Sequence, residues 1–221
     1  RPIPLDTVFL TIHAARDQHQ INYVLVGDSI ATLHKQHFLA FLERVHREIP
    51  DITLHFNSTV DRWDEDIAAA CADLRRSVWF GFESGSQRIL NLLQKGTQVE
   101  QAYRAAALCE QYDIPAGFNV LIGLPGETDD DYQATMRVLE ACPAVHPNPN
   151  IFNPLPGTAL YRQCVRDGLL VRERDYSIWD RERIFEADFQ GPVRSVDYRR
   201  VIAYYDQMRA MQADPNRSLV R

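Results

Sequence analysis

The sequence predicts an α/β fold built on a parallel sheet, and three observations predict it. Apolar, strand-like runs begin near positions 21, 52, 78, 116 and 150, and each leads into a stretch with helical periodicity. The repeat is about 30 residues, the size of one β-α unit. Several runs are almost continuously apolar, as strands buried on both faces are. Right-handed crossovers then place all strand carboxyl ends on one side. Five units fall short of a closed eight-stranded barrel, so periodicity alone leaves an open sheet and a partial barrel both standing.

The elements follow in order. Leu5–His19 carries Leu5, Val8, Phe9 and Ile12 on one helical face, and Ile21–Gly27 reads as a strand ending in Asp28-Ser29. His34–Ile49 stripes Phe38, Phe41, Leu42, Val45 and Ile49 along one side until Pro50 stops it. A strand at Ile52–Phe56 ends in Asn57-Ser58-Thr59, and Asp64 is placed to cap a helix through Ile67, Ala70, Cys71 and Leu74. Val78–Ser86 is the key stretch: an aromatic and β-branched run that ends in Gly81, Glu83 and two serines around Gly85, with a helix at once beyond. Thr97 and Glu100 are spaced as a capping box for a helix with Val99, Ala102, Ala106 and Cys109 on one face. Ala116–Gly123 is the next strand, Leu124–Glu127 turns, and Thr128 and Asp131 box the helix through Leu139. Pro143, Pro147 and Pro149 make the following connection irregular, before a short strand at Asn150–Asn153 and a helix from Ala159. Beyond Gly168 the rhythm fades. The charged run Arg172–Arg183 reads as a solvated face, Val196–Met211 as a last amphipathic helix, and Gln212–Arg221 as a fraying end. We expect one domain, with 1–168 as the repeating unit and 169–221 as its C-terminal helical extension.

Composition narrows the function classes. The net charge of −6 argues against a general nucleic-acid or anionic-membrane binder, and no apolar run reaches membrane-spanning length. The four cysteines are scattered without a Cys-x-x-Cys pair, which fits reduced thiols in a cytoplasmic protein. Gly-x-x-x-x-Gly-Lys is absent, Gly81-x-x-x-Gly85 is no dinucleotide fingerprint, and no Gly-x-Ser-x-Gly elbow occurs. What remains is a set of polar strand ends: Asp28-Ser29, Asn57-Ser58-Thr59, Glu83-Ser84 and Asn153, with exposed main chain at Gly123, Pro125 and Gly126. A pocket rich in acceptors and hydroxyls and poor in Lys and Arg suits a zwitterionic or nucleoside-like ligand better than a polyphosphate. His55 is a further candidate to line it. His34 and His37 share a helix face without a third metal ligand.

Gly81-Phe82-Glu83-Ser84-Gly85-Ser86, then Lys95-Gly96-Thr97, Gly123-Leu124-Pro125-Gly126-Glu127-Thr128 and Pro156-Gly157-Thr158-Ala159-Leu160-Tyr161, together resemble the radical S-adenosylmethionine superfamily. The resemblance runs from about Arg1 to about Gly168 and is greatest to the subgroup in which a cobalamin-binding domain often precedes the radical domain. It implies a partial (β/α)6 barrel of the TIM type whose first strand is missing from this chain. S-adenosylmethionine would lie across the strand carboxyl ends. Asp28, with Ser29, would meet the methionine amino group; Glu83 and Ser84 would contact the ribose or methionine moiety. Leu121, Ile122 and Gly123 would pack against adenine and offer main-chain hydrogen bonds, while Asn153, Pro154 and Leu155 complete the adenine pocket. For Leu121 and Ile122, plain core packing is the competing reading.

Two departures qualify the resemblance. The Cys-x3-Cys-x2-Cys loop that holds a [4Fe–4S] cluster does not occur, so the cluster ligands are expected upstream of Arg1. Relatives often carry arginine at the end of the third strand, where Thr59-Val60 stand, which leaves Asn57 the least specific of the candidates. The implied activity is radical S-adenosylmethionine chemistry supported by an electron donor, with cobalamin as a candidate cofactor. C-methyl transfer to a small-molecule or natural-product substrate leads. Another radical reaction (cyclisation, oxidation or methylthiolation) and a cluster-less binding module are the alternatives.

Overall fold

A computed structural model of the protein describes residues 2–171 and 191–212. The charged run Arg172–Arg183 and the end beyond Gln212 lie outside the described residues.

Five strands form a single sheet in which every neighbour is parallel: β1 (Tyr23–Val26), β2 (Thr53–Ser58), β3 (Arg75–Glu83), β4 (Ala116–Ile122) and β5 (Val145–Ile151). Their order in space is their order in sequence. This is the singly wound arrangement of a partial (β/α) barrel, with one face under helices and the other concave.

Alternation along each strand decides which side chains go where. Leu54, Phe56, Val78, Phe80, Phe82, Phe118, Val120 and Ile122 point toward the helices and are fully buried. Each contributes about 1.5–3 kcal/mol through burial. The phenyl rings interlock across strands, with Phe80 edge-on to Phe118 at 5.9 Å and Phe82 stacked on it at 4.7 Å. The intervening residues, among them His55, Asn57, Trp79, Gly81, Asn119 and Asn148, lie on the concave side, and all are half-buried.

The helices are α1 (Leu5–His19), α2 (Lys35–Glu48), α3 (Glu65–Cys71), α4 (Gln87–Leu92), α5 (Val99–Gln111), α6 (Asp129–Ala141), α7 (Ala159–Arg166) and α8 (Tyr198–Gln212). Their starts follow the sequence signals. Asp64 accepts from the Ile67 amide at 3.2 Å, and Thr128 with Asp131 forms the expected capping box. The five-residue stripe of α2 and its stop is buried in full.

Two expectations are corrected. The capping box of α5 is Gln98 with Gln101, one residue past the Thr97–Glu100 pair, and Thr97 is instead buried before the helix. Both pairs have the i, i+3 spacing, so spacing could not choose between them. The second correction concerns Pro147 and Pro149, which lie within β5 and not in an irregular connection. Among the described residues that strand pairs only with β4. The Phe152 amide donates to Ile122 O at 2.7 Å, so the even-numbered amides face β4 and the two prolines fall on the margin away from it, where Gln212 of α8 donates to Pro147 O. A missing N–H costs nothing there.

Among the described residues no helix is long and apolar enough to cross a membrane. All four cysteines are free and buried.

Candidate functional site

Because all five strands are parallel, the loops after Val26, Ser58, Glu83, Ile122 and Ile151 share one end of the sheet. The β3 tip is its best-defined part. Glu83 adopts a left-handed backbone, φ 68°, which costs a non-glycine residue about 1–3 kcal/mol and marks a position held by its surroundings. Its carboxylate folds back over Gly81, where an added Cβ would come 3.2 Å from Glu83 Oε1 and 3.8 Å from Thr59 Cγ2. Lys95 reaches in from the α4–α5 connection and pairs with Glu83 at 2.7 Å. Thr59, Gly81, Glu83 and Lys95 thus converge on the concave side.

What holds that backbone is on the other side of the sheet. Ser84 is fully buried, with its hydroxyl 3.2 Å from Thr135 Oγ1 and accepting from the Ser86 amide at 3.1 Å. The Gly85 amide donates to Thr135 Oγ1 at 2.9 Å, and the Ser86 hydroxyl donates to Asp131 at 2.6 Å. Arg88 closes on the same carboxylate. Its hydrogen bonds from Arg88, Ser86 and Thr128 outweigh its desolvation and hold the Asp131 carboxyl well below the usual range. Gly85 sits against the α6 backbone so closely that a Cβ would stand 2.5 Å from Ala134 O. The motif therefore splits: Glu83 turns to the concave side, while Ser84, Gly85 and Ser86 clamp the tip to α6.

The β4 tip is built differently. Gly123 takes φ 80° without strain, and its amide donates to Glu127 Oε2 at 2.7 Å and to Tyr132 Oη at 3.2 Å. The Leu124 amide donates to the same Glu127 oxygen at 3.1 Å. Burial pushes the Glu127 carboxyl up to about 7 in spite of those amides, and raises the Tyr132 phenol as well. Tyr132 stacks on Tyr204 of α8 at 4.3 Å.

The remaining sequence candidates divide as follows. Asp28 and Ser29 are exposed in the loop after β1, at the same end as Glu83. Asn57 and Leu121 are half-buried on the concave side. Asn153 is half-buried after β5, and Leu155 is 54% exposed beyond it. Three candidates are corrected. Ser84 faces the helix layer and presents no hydroxyl to the concave side. Ile122 is core, and its carbonyl is taken by the Phe152 amide. Gly123 offers no free N–H, because Glu127 and Tyr132 accept it. The expectation of a site poor in lysine is corrected too, since Lys95 sits on Glu83. Its signal in the sequence is the Lys95-Gly96-Thr97 motif, where Gly96 at φ 71° turns the connection. Thr135 and Asp131, which fix the β3 tip, carried no signal beyond a helix start.

No group of three or more His, Cys, Asp or Glu among the described residues is arranged to hold a metal ion. The thiols are unsuited as well: burial raises Cys71 to about 12 and Cys109 further.

The chain is similar to several known proteins. The pattern of the radical SAM superfamily matches residues 1–139. The uncharacterized methyltransferase PH0819 of Pyrococcus horikoshii is 29% identical over 145 residues, covering 65% of this chain and 32% of that protein. The tRNA-2-methylthio-N(6)-dimethylallyladenosine synthase of Methylibium petroleiphilum is 29% identical over 188 residues, or 76% of this chain and 41% of that enzyme. The chain thus spans about a third to two fifths of these relatives. A solved structure of similar fold is the radical S-adenosylmethionine methyltransferase TsrM from Kitasatospora setae, with cobalamin and a [4Fe–4S] cluster bound. It superposes with a TM-score of 0.65 at 22% identity, over 76% of this chain and 32% of that one.

Proposed function

This chain belongs to the radical SAM superfamily, and from that premise we propose that its strand tips bind S-adenosylmethionine for a cobalamin-dependent methyl transfer to an unactivated carbon. The family uses S-adenosylmethionine and a [4Fe–4S] cluster. The observation that carries the reading is the Glu83–Lys95 pair over Gly81. A carboxylate acceptor beside an ammonium donor complements a zwitterionic amino acid moiety or a ribose diol, and the missing Cβ of Gly81 makes the room for it.

In this reading Glu83 and Lys95 bind the cofactor's polar groups, and Asp28 and Ser29 approach from the neighbouring loop. Leu121 and Leu155 supply apolar surface, Asn57 and Asn153 supply amides, and the clamp of Thr135 and Asp131 fixes the Glu83 backbone. When bound, the cluster and cofactor supply a one-electron reductive cleavage that starts hydrogen abstraction. The cysteines of this chain do not fit the cluster, and we place its ligands outside these residues. Cobalamin is supported by the fold neighbour that carries it and by the methyltransferase relative. A methylthio transfer is the second reading, supported by the methylthio-synthase relatives. A small-molecule substrate, an electron donor and a cytoplasmic setting belong to the same proposal.

The test is anaerobic reconstitution of the intact protein with a reductant and S-adenosylmethionine carrying a labelled methyl group. Formation of 5′-deoxyadenosine is expected, together with weakened S-adenosylmethionine binding by Glu83→Ala in equilibrium dialysis. Unchanged affinity in that variant would remove the strand-tip site. Sulfur inserted along with the label would favour the second reading.

A further inference from the structure

Beneath the Glu83–Lys95 pair the concave face carries a second set of groups, which apart from Asn57 have been given no role so far. Side chains two residues apart on one strand stand about 7 Å apart along it. One step below Glu83 the register aligns Gly81 with Asn119 and Asn148, and one further step down it aligns Asn57, Trp79, Gly117 and His146. The lower row is aromatic. The six-membered ring of Trp79 covers Gly117, where a Cβ would stand 2.3 Å from two ring carbons and 2.8 Å from a third. Three atoms at such similar distances put the ring face down, so its other face is turned to the concave space. The His146 ring lies 6.3 Å from that of Trp79 and at right angles to it, and the His55 ring lies 6.4 Å away and tilted. His55 is held by Ser77 at 2.7 Å, and its burial disfavours the charged form.

The upper row is a carboxamide pair. Asn148 Nδ2 donates to Asn119 Oδ1 at 2.8 Å. A carboxamide has two N–H donors and an acceptor oxygen, so this bond leaves donor capacity on the Asn119 amino group and acceptor capacity on the Asn148 oxygen of the same pair. Among the described residues, no strand position of either row on the concave face is Asp, Glu, Lys or Arg. The charges nearest these rows, Glu83 and Lys95 over Gly81, are paired with each other, so an ionic group stacked on Trp79 would be desolvated with no free counter-charge among the described residues. An uncharged planar group with a donor next to an acceptor would be matched on both counts.

We propose that the concave face of β3–β5 binds the substrate through an uncharged planar lactam or carboxamide group, which stacks on Trp79 and is read by Asn119 and Asn148. This assignment rests on the strand-tip reading, because it places that group one layer below the cofactor.

Nicotinamide and nicotinate are probes of nearly equal shape that differ in this one property. Saturation-transfer NMR on the intact protein is expected to show nicotinamide binding, with nicotinate about tenfold weaker or worse, as for a site built to pair a polar group. Trp79→Leu and Asn119→Leu should each weaken nicotinamide by about tenfold. Equal affinity for the two probes, preference for nicotinate (which would put the ligand on Lys95), unchanged binding in Trp79→Leu, or no nicotinamide binding would each overturn the proposal. The wild-type probe pair decides even if a variant does not fold. S-Adenosylmethionine binding measured on the same wild-type sample fails separately: its absence removes the cofactor reading, whatever the probes do.

Discussion

Neighbouring strands β3 and β4 both end in a residue with positive φ and both bring a glutamate to the tip, yet the two glutamates do opposite things. At β4 the left-handed position is Gly123, which adopts it without strain, and Glu127 is spent on the chain's own amides. At β3 the left-handed residue is Glu83 itself, its backbone held by serines and α6 while its carboxylate lies over Gly81 and pairs with Lys95. One tip is satisfied from within; the other keeps strain and charge on the concave side, where the proposed site lies. Binding sites hold strain of this kind because the surrounding structure over-determines it.

The largest expected effect probes the clamp. Gly85→Ala would push a Cβ into the α6 backbone and should cost about 3 kcal/mol in denaturant unfolding, since neither neighbour can move cheaply. A loss under 1 kcal/mol, taken as an order-of-magnitude mark, would mean that α6 does not fix the β3 tip.

Next comes Glu127. Its carboxyl is raised to about 7 in the folded chain from 4.5, so between those values the folded state holds a proton that the unfolded state has released. Stability should therefore fall as pH rises from 5 to 8, by about 2 kcal/mol, and level off above. Glu127→Gln keeps an acceptor oxygen for the Gly123 and Leu124 amides and should flatten that slope, leaving S-adenosylmethionine affinity in place. Weaker cofactor binding by this variant would erase the contrast between the tips.

Glu83→Ala is expected to raise the dissociation constant for S-adenosylmethionine about tenfold, or about 1.4 kcal/mol. The smallest effect sharpens the comparison further. Glu83→Gly removes the same carboxylate but also relieves the backbone, and should stabilise the fold by about 1 kcal/mol while binding the cofactor as poorly as the alanine variant. A glycine variant less stable than wild type would show that the strain at Glu83 is slight.

Much of the architecture was legible from residue order because burial imposes period 2 on strands and a helical stripe on α2, and those patterns survive in single residues. Position at the strand ends was legible in the same way, since parallel pairing puts Asp28 and Glu83 at one end. The side to which a tip residue turns was not. Glu83 and Ser84 are adjacent, and only the packing of Gly85 on Ala134 and Thr135 decides that one faces the concave space and the other the core. Lys95 was missed because a loop's reach depends on where Gly96 bends it. Pro147 and Pro149 were misjudged because a proline is excluded from a strand only where its amide would face a partner, and that is a matter of parity.

Those two prolines give the sheet a direction of growth. A strand approaching the outer side of β5 would find no donors at 147 or 149, whereas β1 has no proline and presents an unbroken row of amides. A segment extending this sheet would find its donors at β1, while at the opposite margin the prolines withhold theirs and α8 lies against β5, with Gln212 donating to Pro147 O.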